Sequence, residues 1–96
     1  MPAVRVNGSI PVYFLREKQS FIAFSPVIDL STCGKSFEDA KKKFDEAVQI
    51  FIEECMEMGT LDKVLESCGW EKIKSKWTPP SYIGEVQMAF QQPVSA

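Results

Sequence analysis

The sequence predicts an α+β domain in which a three-stranded antiparallel sheet carries one long helix on one face. Residues 36–58 place apolar side chains at helical spacing and charged ones on the remaining surface. Just before this segment, residues 9–16, 20–25 and 27–33 are rich in β-branched and aromatic residues, which favour strands. An amphipathic helix of this length needs an apolar sheet to pack on, and the three strands provide one.

The first part of the chain reads as a hairpin followed by a third strand. Residues 1–8 have little pattern and are expected to be a frayed lead-in. Pro11 suits the start of a strand or a sheet edge, because proline cannot donate to a central ladder. The polar residues 17–19 form a short link, which predicts antiparallel pairing of the first two strands. Pro26 then separates the second strand from the third.

The long helix has recognisable signals at both ends. Ser36 is placed to cap its N-terminus, with Asp39 three residues further on. Gly59 stands where a left-handed stop is expected. The preceding Gly34-Lys35-Ser36 lacks the first glycine of a phosphate-binding GxxxxGK[ST] loop, so it is interpreted as a turn into the cap. The apolar sector of the helix contains Phe37, Ala40, Phe44, Ala47, Val48, Phe51 and Cys55.

A second, shorter helix is predicted after Gly59. Leu61, Val64, Leu65 and Cys68 repeat at helical spacing. The order is therefore β-β-β-α-α, to be followed by one or two late β segments.

Two late segments alternate as strands do. Over residues 70–77, Lys72, Lys74 and Lys76 are predicted to share one face, while Ile73 and Trp77 share the other. Residues 78–96 are expected to form a tail, in which residues 85–91 alternate again and are a candidate strand. That strand would pair within the domain or with a second copy.

Composition narrows the function classes. The net charge of −2 argues against nonspecific binding to bulk nucleic acid as the main activity. The absence of histidine excludes His-dependent catalysis and His metal ligands, and the three cysteines have no CxxC spacing. Asp29, Glu38 and Asp39 are too few and too scattered for a two-metal nuclease. We therefore expect one non-enzymatic domain over residues 1–96, with no catalytic, metal or cofactor site. An 18-residue apolar run is also absent, so a cytoplasmic protein without a membrane segment is expected.

Apolar and basic residues suggest two candidate binding surfaces. Aromatic and aliphatic residues occupy both faces of the first hairpin, although one helix covers only one face. Either the C-terminal segment covers the second face or that face is an interface. The candidate partner or self-association residues are Tyr13, Leu15, Phe21, Phe24, Val86, Met88 and Phe90. The candidate nucleic-acid contacts are Lys72, Lys74, Lys76 and Trp77, although alternate lysines also suit a solvated strand edge.

The order of motifs from Ile10 to Trp70 resembles the HicB family of antitoxins. In that family an aromatic-rich hairpin precedes a Pro-x-hydrophobic-acid segment, a Cys/Gly turn and a Ser/Thr-Leu-Glu-Glu-Ala helix start. The corresponding stretches here are residues 26–29, 33–34 and 36–40. The likeness covers some 60 residues, and its specificity comes from the order and spacing of motifs that are individually weak.

The resemblance implies a β-β-β-α-β domain like a truncated RNase H fold without the catalytic acids. It also implies a role in a toxin–antitoxin system, in which the domain binds and blocks a small HicA-type mRNA-cleaving toxin. Self-association as a dimer or tetramer is expected on the same basis. Many family members add a C-terminal helix-turn-helix or ribbon-helix-helix motif. Here the residues after Trp70 predict strand and loop, so direct DNA binding is not expected.

Overall fold

The computed structural model describes residues 8–93 of the chain. The frayed lead-in predicted for residues 1–8 therefore lies, except for Gly8, outside the described residues. The elements in chain order are β1 (Tyr13–Glu17), β2 (Ser20–Ser25), β3 (Leu30–Gly34), α1 (Phe37–Met58), α2 (Leu61–Ser67), β4 (Glu71–Ile73) and β5 (Lys76–Thr78). The predicted α+β class is confirmed, with a three-stranded antiparallel sheet, a long helix after it, a second helix and two late strands.

The main sheet has the order β1-β2-β3, with both pairs antiparallel. Phe14, Ala23 and Thr32 stand opposite one another across the three strands. The Thr32 hydroxyl donates to the Ala40 carbonyl of α1 at 3.3 Å, so this row faces the helix. Ala23 is completely buried, which fits a position between sheet and helix. The core therefore lies between the inner face of the sheet and the apolar sector of α1.

Two strand boundaries differ from those predicted. The first strand begins at Tyr13, and residues 9–12 precede it without regular structure. The third strand begins at Leu30 instead of residue 27. Asp29 has φ of 52°, a left-handed conformation that interrupts an extended chain. Val27 and Ile28 are nevertheless buried in the core, which explains why the sequence there is apolar.

The start of α1 is built as the sequence predicts. The Ser36 hydroxyl accepts from the Asp39 backbone N–H at 3.0 Å, so Ser36 is the N-cap. The Asp39 carboxylate accepts from the Lys35 backbone N–H at 2.9 Å and pairs with Lys43 at 3.3 Å. These contacts hold the pKa of Asp39 below its ordinary value, chiefly through the backbone hydrogen bond and then through Lys43. Asp39 thus acts in helix capping.

The other end of α1 turns back toward the sheet. Gly59 adopts the left-handed conformation, with φ of 69°, and its N–H bonds the Met56 carbonyl. The chain continues through α2, which buries Leu61 and Leu65. Trp70 then donates its indole N–H to the Val27 carbonyl at 2.8 Å in the interior. This bond fixes the C-terminal half of the chain to the loop between β2 and β3.

The late region departs from the predicted alternating strand over residues 70–77. β4 and β5 form a separate two-stranded hairpin, because Lys74 and Ser75 both adopt positive φ values, 52° and 65°. Two such residues reverse the chain in a tight turn. Residues 79–93, which we call the tail, contain no helix or strand, so the strand predicted over residues 85–91 does not pair with any strand of residues 8–93.

Candidate interaction surface

The face of the sheet opposite α1 carries apolar side chains, and no helix within residues 8–93 covers it. Successive side chains of a strand point to opposite faces of the sheet. The residues that precede and follow Phe14, Ala23 and Thr32 in sequence therefore lie on this face. We call it the open face, and its apolar members are Tyr13, Leu15, Ile22 and Phe24. Leu15 is 58% exposed, and the other three are half-buried. The exposed thiol of Cys33 stands opposite Ile22 at the margin of this face.

One residue predicted for this surface lies elsewhere. Phe21 was grouped with Tyr13, Leu15 and Phe24, but it stands two residues from Ala23 and opposite Gly34. It therefore points toward the helix layer and packs against the core. By contrast, Ile22 belongs to the open face. Its position two residues from Phe24 in the same strand predicts this, because alternate residues share a face.

The tail starts on the open face and then leaves it. The rings of Tyr82 and Tyr13 pack with centroids 5.9 Å apart and planes inclined by 57°. The Tyr82 hydroxyl donates to the Glu85 carboxylate at 3.1 Å, and this bond is the main reason why the pKa of Tyr82 is raised. A groove of about 450 Å³ lies between the tail and the sheet, and it is lined by Tyr13, Phe14, Leu15, Phe24, Tyr82, Gly84 and Glu85.

Beyond Gly84 the tail exposes its apolar side chains. Gly84 has φ of 151°, which side-chain-bearing residues rarely adopt, and it marks where the chain turns away. Val86, Met88 and Phe90 are 72%, 82% and 90% exposed. The sequence pattern predicts these three residues as part of a candidate binding surface, and the structure exposes their side chains to solvent. Ile83, which sequence reasoning missed, is also almost fully exposed.

The predicted lysine stripe is wrong in its geometry, because its residues belong to a hairpin. Lys72 stands opposite Trp77, and its ammonium nitrogen lies 5.7 Å from the centroid of that ring. Lys74 occupies the turn, and Lys76 pairs with Ile73 on the other face of the hairpin. The indole N–H of Trp77 donates to the Asp62 carboxylate at 3.2 Å. The structure therefore brings Lys72 and Trp77 together and separates both from Lys76.

The acidic and thiol groups show no convergence in the described part of the chain. Within residues 8–93, no group of three or more Asp, Glu or Cys side chains is arranged to hold a metal ion. Asp29 is exposed in the loop before β3, and Cys55 is buried in α1. None of the helices in this range is long and apolar enough to cross a membrane.

These features define the class of protein as an α+β domain with an apolar, groove-bearing sheet face and an extended tail. Comparison with known proteins adds no closer assignment. No protein-family model matches the chain, and no curated protein or solved structure matches it significantly.

Proposed function

We propose that this protein is an interaction domain of the antitoxin type, which binds a small HicA-type mRNA-cleaving toxin and occludes its active surface. The main support for the proposal is the apolar side-chain surface that the fold leaves exposed to solvent. Tyr13, Leu15 and Phe24 lie on the open face, and Met88 and Phe90 lie along the tail. Exposed apolar side chains in this number are typical of binding sites for other macromolecules.

The mechanism of inhibition is steric. A partner that covers the RNA-binding or catalytic surface of a toxin needs a complementary patch and no reacting group of its own. The motif order from Ile10 to Trp70 supports the choice of a HicA-type toxin as the partner. We place the complex in the cytoplasm, where mRNA is the toxin's substrate.

The proposal is tested by co-expression with a HicA-type toxin encoded next to this gene. We expect the two chains to co-purify, and the purified protein to suppress mRNA cleavage by the toxin in proportion to its concentration. Leu15→Asp should weaken both effects, because it places a charge among the apolar side chains of the open face.

Ile50→Asp is a matched control, because Ile50 is 54% exposed on α1, on the opposite side of the sheet. It should leave binding and protection unchanged. If no toxin-like gene adjoins and a purified HicA-type toxin neither binds nor is inhibited, the antitoxin proposal fails.

Nucleic-acid binding through the β4–β5 hairpin is the second candidate. The contact of Lys72 with the Trp77 ring supports it, since a cation beside an aromatic face suits phosphate contact and base stacking. Titration of a labelled single-stranded RNA at low salt should then give binding that weakens as salt rises. Glu substitutions at Lys72, Lys74 and Lys76 should abolish it, and a flat titration of the unaltered protein would eliminate this candidate.

A further inference from the structure

The tail has the sequence pattern of a β-strand but pairs with no strand in the part of its own chain that the structure describes. Val86, Met88 and Phe90 alternate with Gln87, Ala89 and Gln91, as in a strand with one apolar face. Glu85 carries the only charge in residues 79–93. A segment in which apolar residues alternate and charge is nearly absent is expected to be buried on one side, yet here it is exposed.

The molecule is elongated. The radius of gyration is 16.7 Å, whereas a compact domain of this size has about 13 Å. The longest dimension is 61 Å, against 28 and 23 Å for the other two. This elongated shape agrees with the high solvent exposure of Val86, Met88 and Phe90 in the tail.

The open face offers a complementary site. Tyr82 packs against Tyr13 and lines the groove, so the face already contacts an aromatic residue of this same segment. Residues 85–91, when extended at about 3.3 Å per residue, span roughly 23 Å, which is long enough to run the full length of the five- and six-residue strands that form the face. Alternate residues of an extended chain point to the same side. An extended tail therefore presents on one side the residues Tyr82, Val86, Met88 and Phe90.

We propose that the tail of each molecule docks on the open face of a second copy, so that two copies exchange residues 85–91. Val86, Met88 and Phe90 of one copy cover Leu15, Ile22 and Phe24 of the other, beyond the position that Tyr82 occupies. We choose a second copy as the occupant because every chain carries one tail and one open face. In a dimer with twofold symmetry, each tail docks on the open face of the other copy, so the same contact is made twice.

This inference is independent of the choice of toxin as partner. Both proposals use the open face, so a toxin that binds there competes with self-association. Measurements on the isolated protein test the exchange, and toxin inhibition tests the antitoxin role, so either proposal can fail alone.

The test uses two single variants of the full chain and their mixture. Leu15→Asp disables the face and keeps the tail, whereas Met88→Asp disables the tail and keeps the face. Sedimentation at micromolar concentrations should show a dimer for the unaltered protein. Each variant should lower the association constant by roughly 30-fold or more, as the loss of an interface anchor does.

The mixture distinguishes exchange from other dimers. The intact tail of Leu15→Asp fits the intact face of Met88→Asp, so the two variants together should form a heterodimer that is stronger than either homodimer. If Leu15→Asp alone still dimerises, tails pair with tails, and if Met88→Asp alone still dimerises, faces pair with faces. Either result overturns the proposal, as does a monomeric unaltered protein.

Two further variants guard against misfolding and nonspecific effects of charge. Phe90→Asp repeats the tail test at a 90% exposed position outside any helix or strand, where it has no core contact to disturb. Ile50→Asp adds the same charge on α1 and should remain dimeric. Unchanged far-UV circular dichroism would establish that the variants keep their fold, and dissociation by Ile50→Asp would count against the proposed site.

Discussion

Replacing Trp70 by Phe tests how strongly the C-terminal half is fixed to the sheet region. The indole of Trp70 is buried and donates to the Val27 carbonyl at 2.8 Å. The Phe variant leaves this carbonyl unsatisfied in the interior, at a cost of about 1–3 kcal/mol. It also removes part of a buried ring, which costs about 1–2 kcal/mol in lost apolar burial. We therefore expect the free energy of unfolding to fall by roughly 3 kcal/mol.

Trp77→Phe is the matched control for this prediction. Trp77 is partly exposed, and its indole N–H reaches the exposed carboxylate of Asp62 at 3.2 Å. Loss of that contact should cost about 1 kcal/mol or less, because water replaces the lost partner. Urea unfolding is followed by far-UV circular dichroism at one fixed protein concentration, since self-association would change apparent stability. Equal losses in the two variants would refute the argument that the buried bond at Trp70 is the important one.

Three other substitutions test the packing and the electrostatics of the fold. Gly34→Ala would place a Cβ 2.6 Å from the backbone nitrogen of Ala40, so the sheet and α1 must move apart, and thermal unfolding should show a loss of about 2 kcal/mol or more. Ser25→Ala should keep or raise stability in the same assay by up to about 1 kcal/mol, because the buried hydroxyl has no hydrogen-bond partner among the described residues. The folded-state pKa of Asp39 lies below its ordinary value of 3.8, so its stabilisation is fully present above that pH and is lost as pH falls through the lower folded-state pKa. Unfolding measured against pH should show this loss in the unaltered protein and not in Asp39→Asn.

The parts of the fold that the sequence predicts are those in which local signals and packing agree. Ser36 and Gly59 mark the ends of α1 because a side-chain cap and a left-handed glycine are local devices. The hairpin of β1 and β2 follows from its short polar link. In contrast, Val27 and Ile28 are as apolar as a strand but are buried in a loop, and only the conformation of Asp29 reveals this.

The late region was harder to predict because its turn residues are unusual. The turn between β4 and β5 uses Lys74 and Ser75 at positive φ, where Asn-Gly or Asp-Gly is the common signal. Without that signal, a strand–turn–strand segment with alternating lysines resembles one continuous strand. The assignment of Phe21 failed for another reason, because Phe21 lies three residues from Phe24 in the same strand, and residues at odd spacing point to opposite faces.

The proposed contact between the tail and the open face is compatible with a closed dimer and also with a fibre. A tail and a face on one chain form a head-to-tail link, and such links either close on two copies or propagate without end. In the proposed exchange, the direction of the tail at Gly84 would decide between these outcomes, because it sets whether the second tail reaches the open face of the first copy or that of a third molecule. In the proposed exchange, a change in that one backbone conformation is expected to favour open-ended chains over closed pairs.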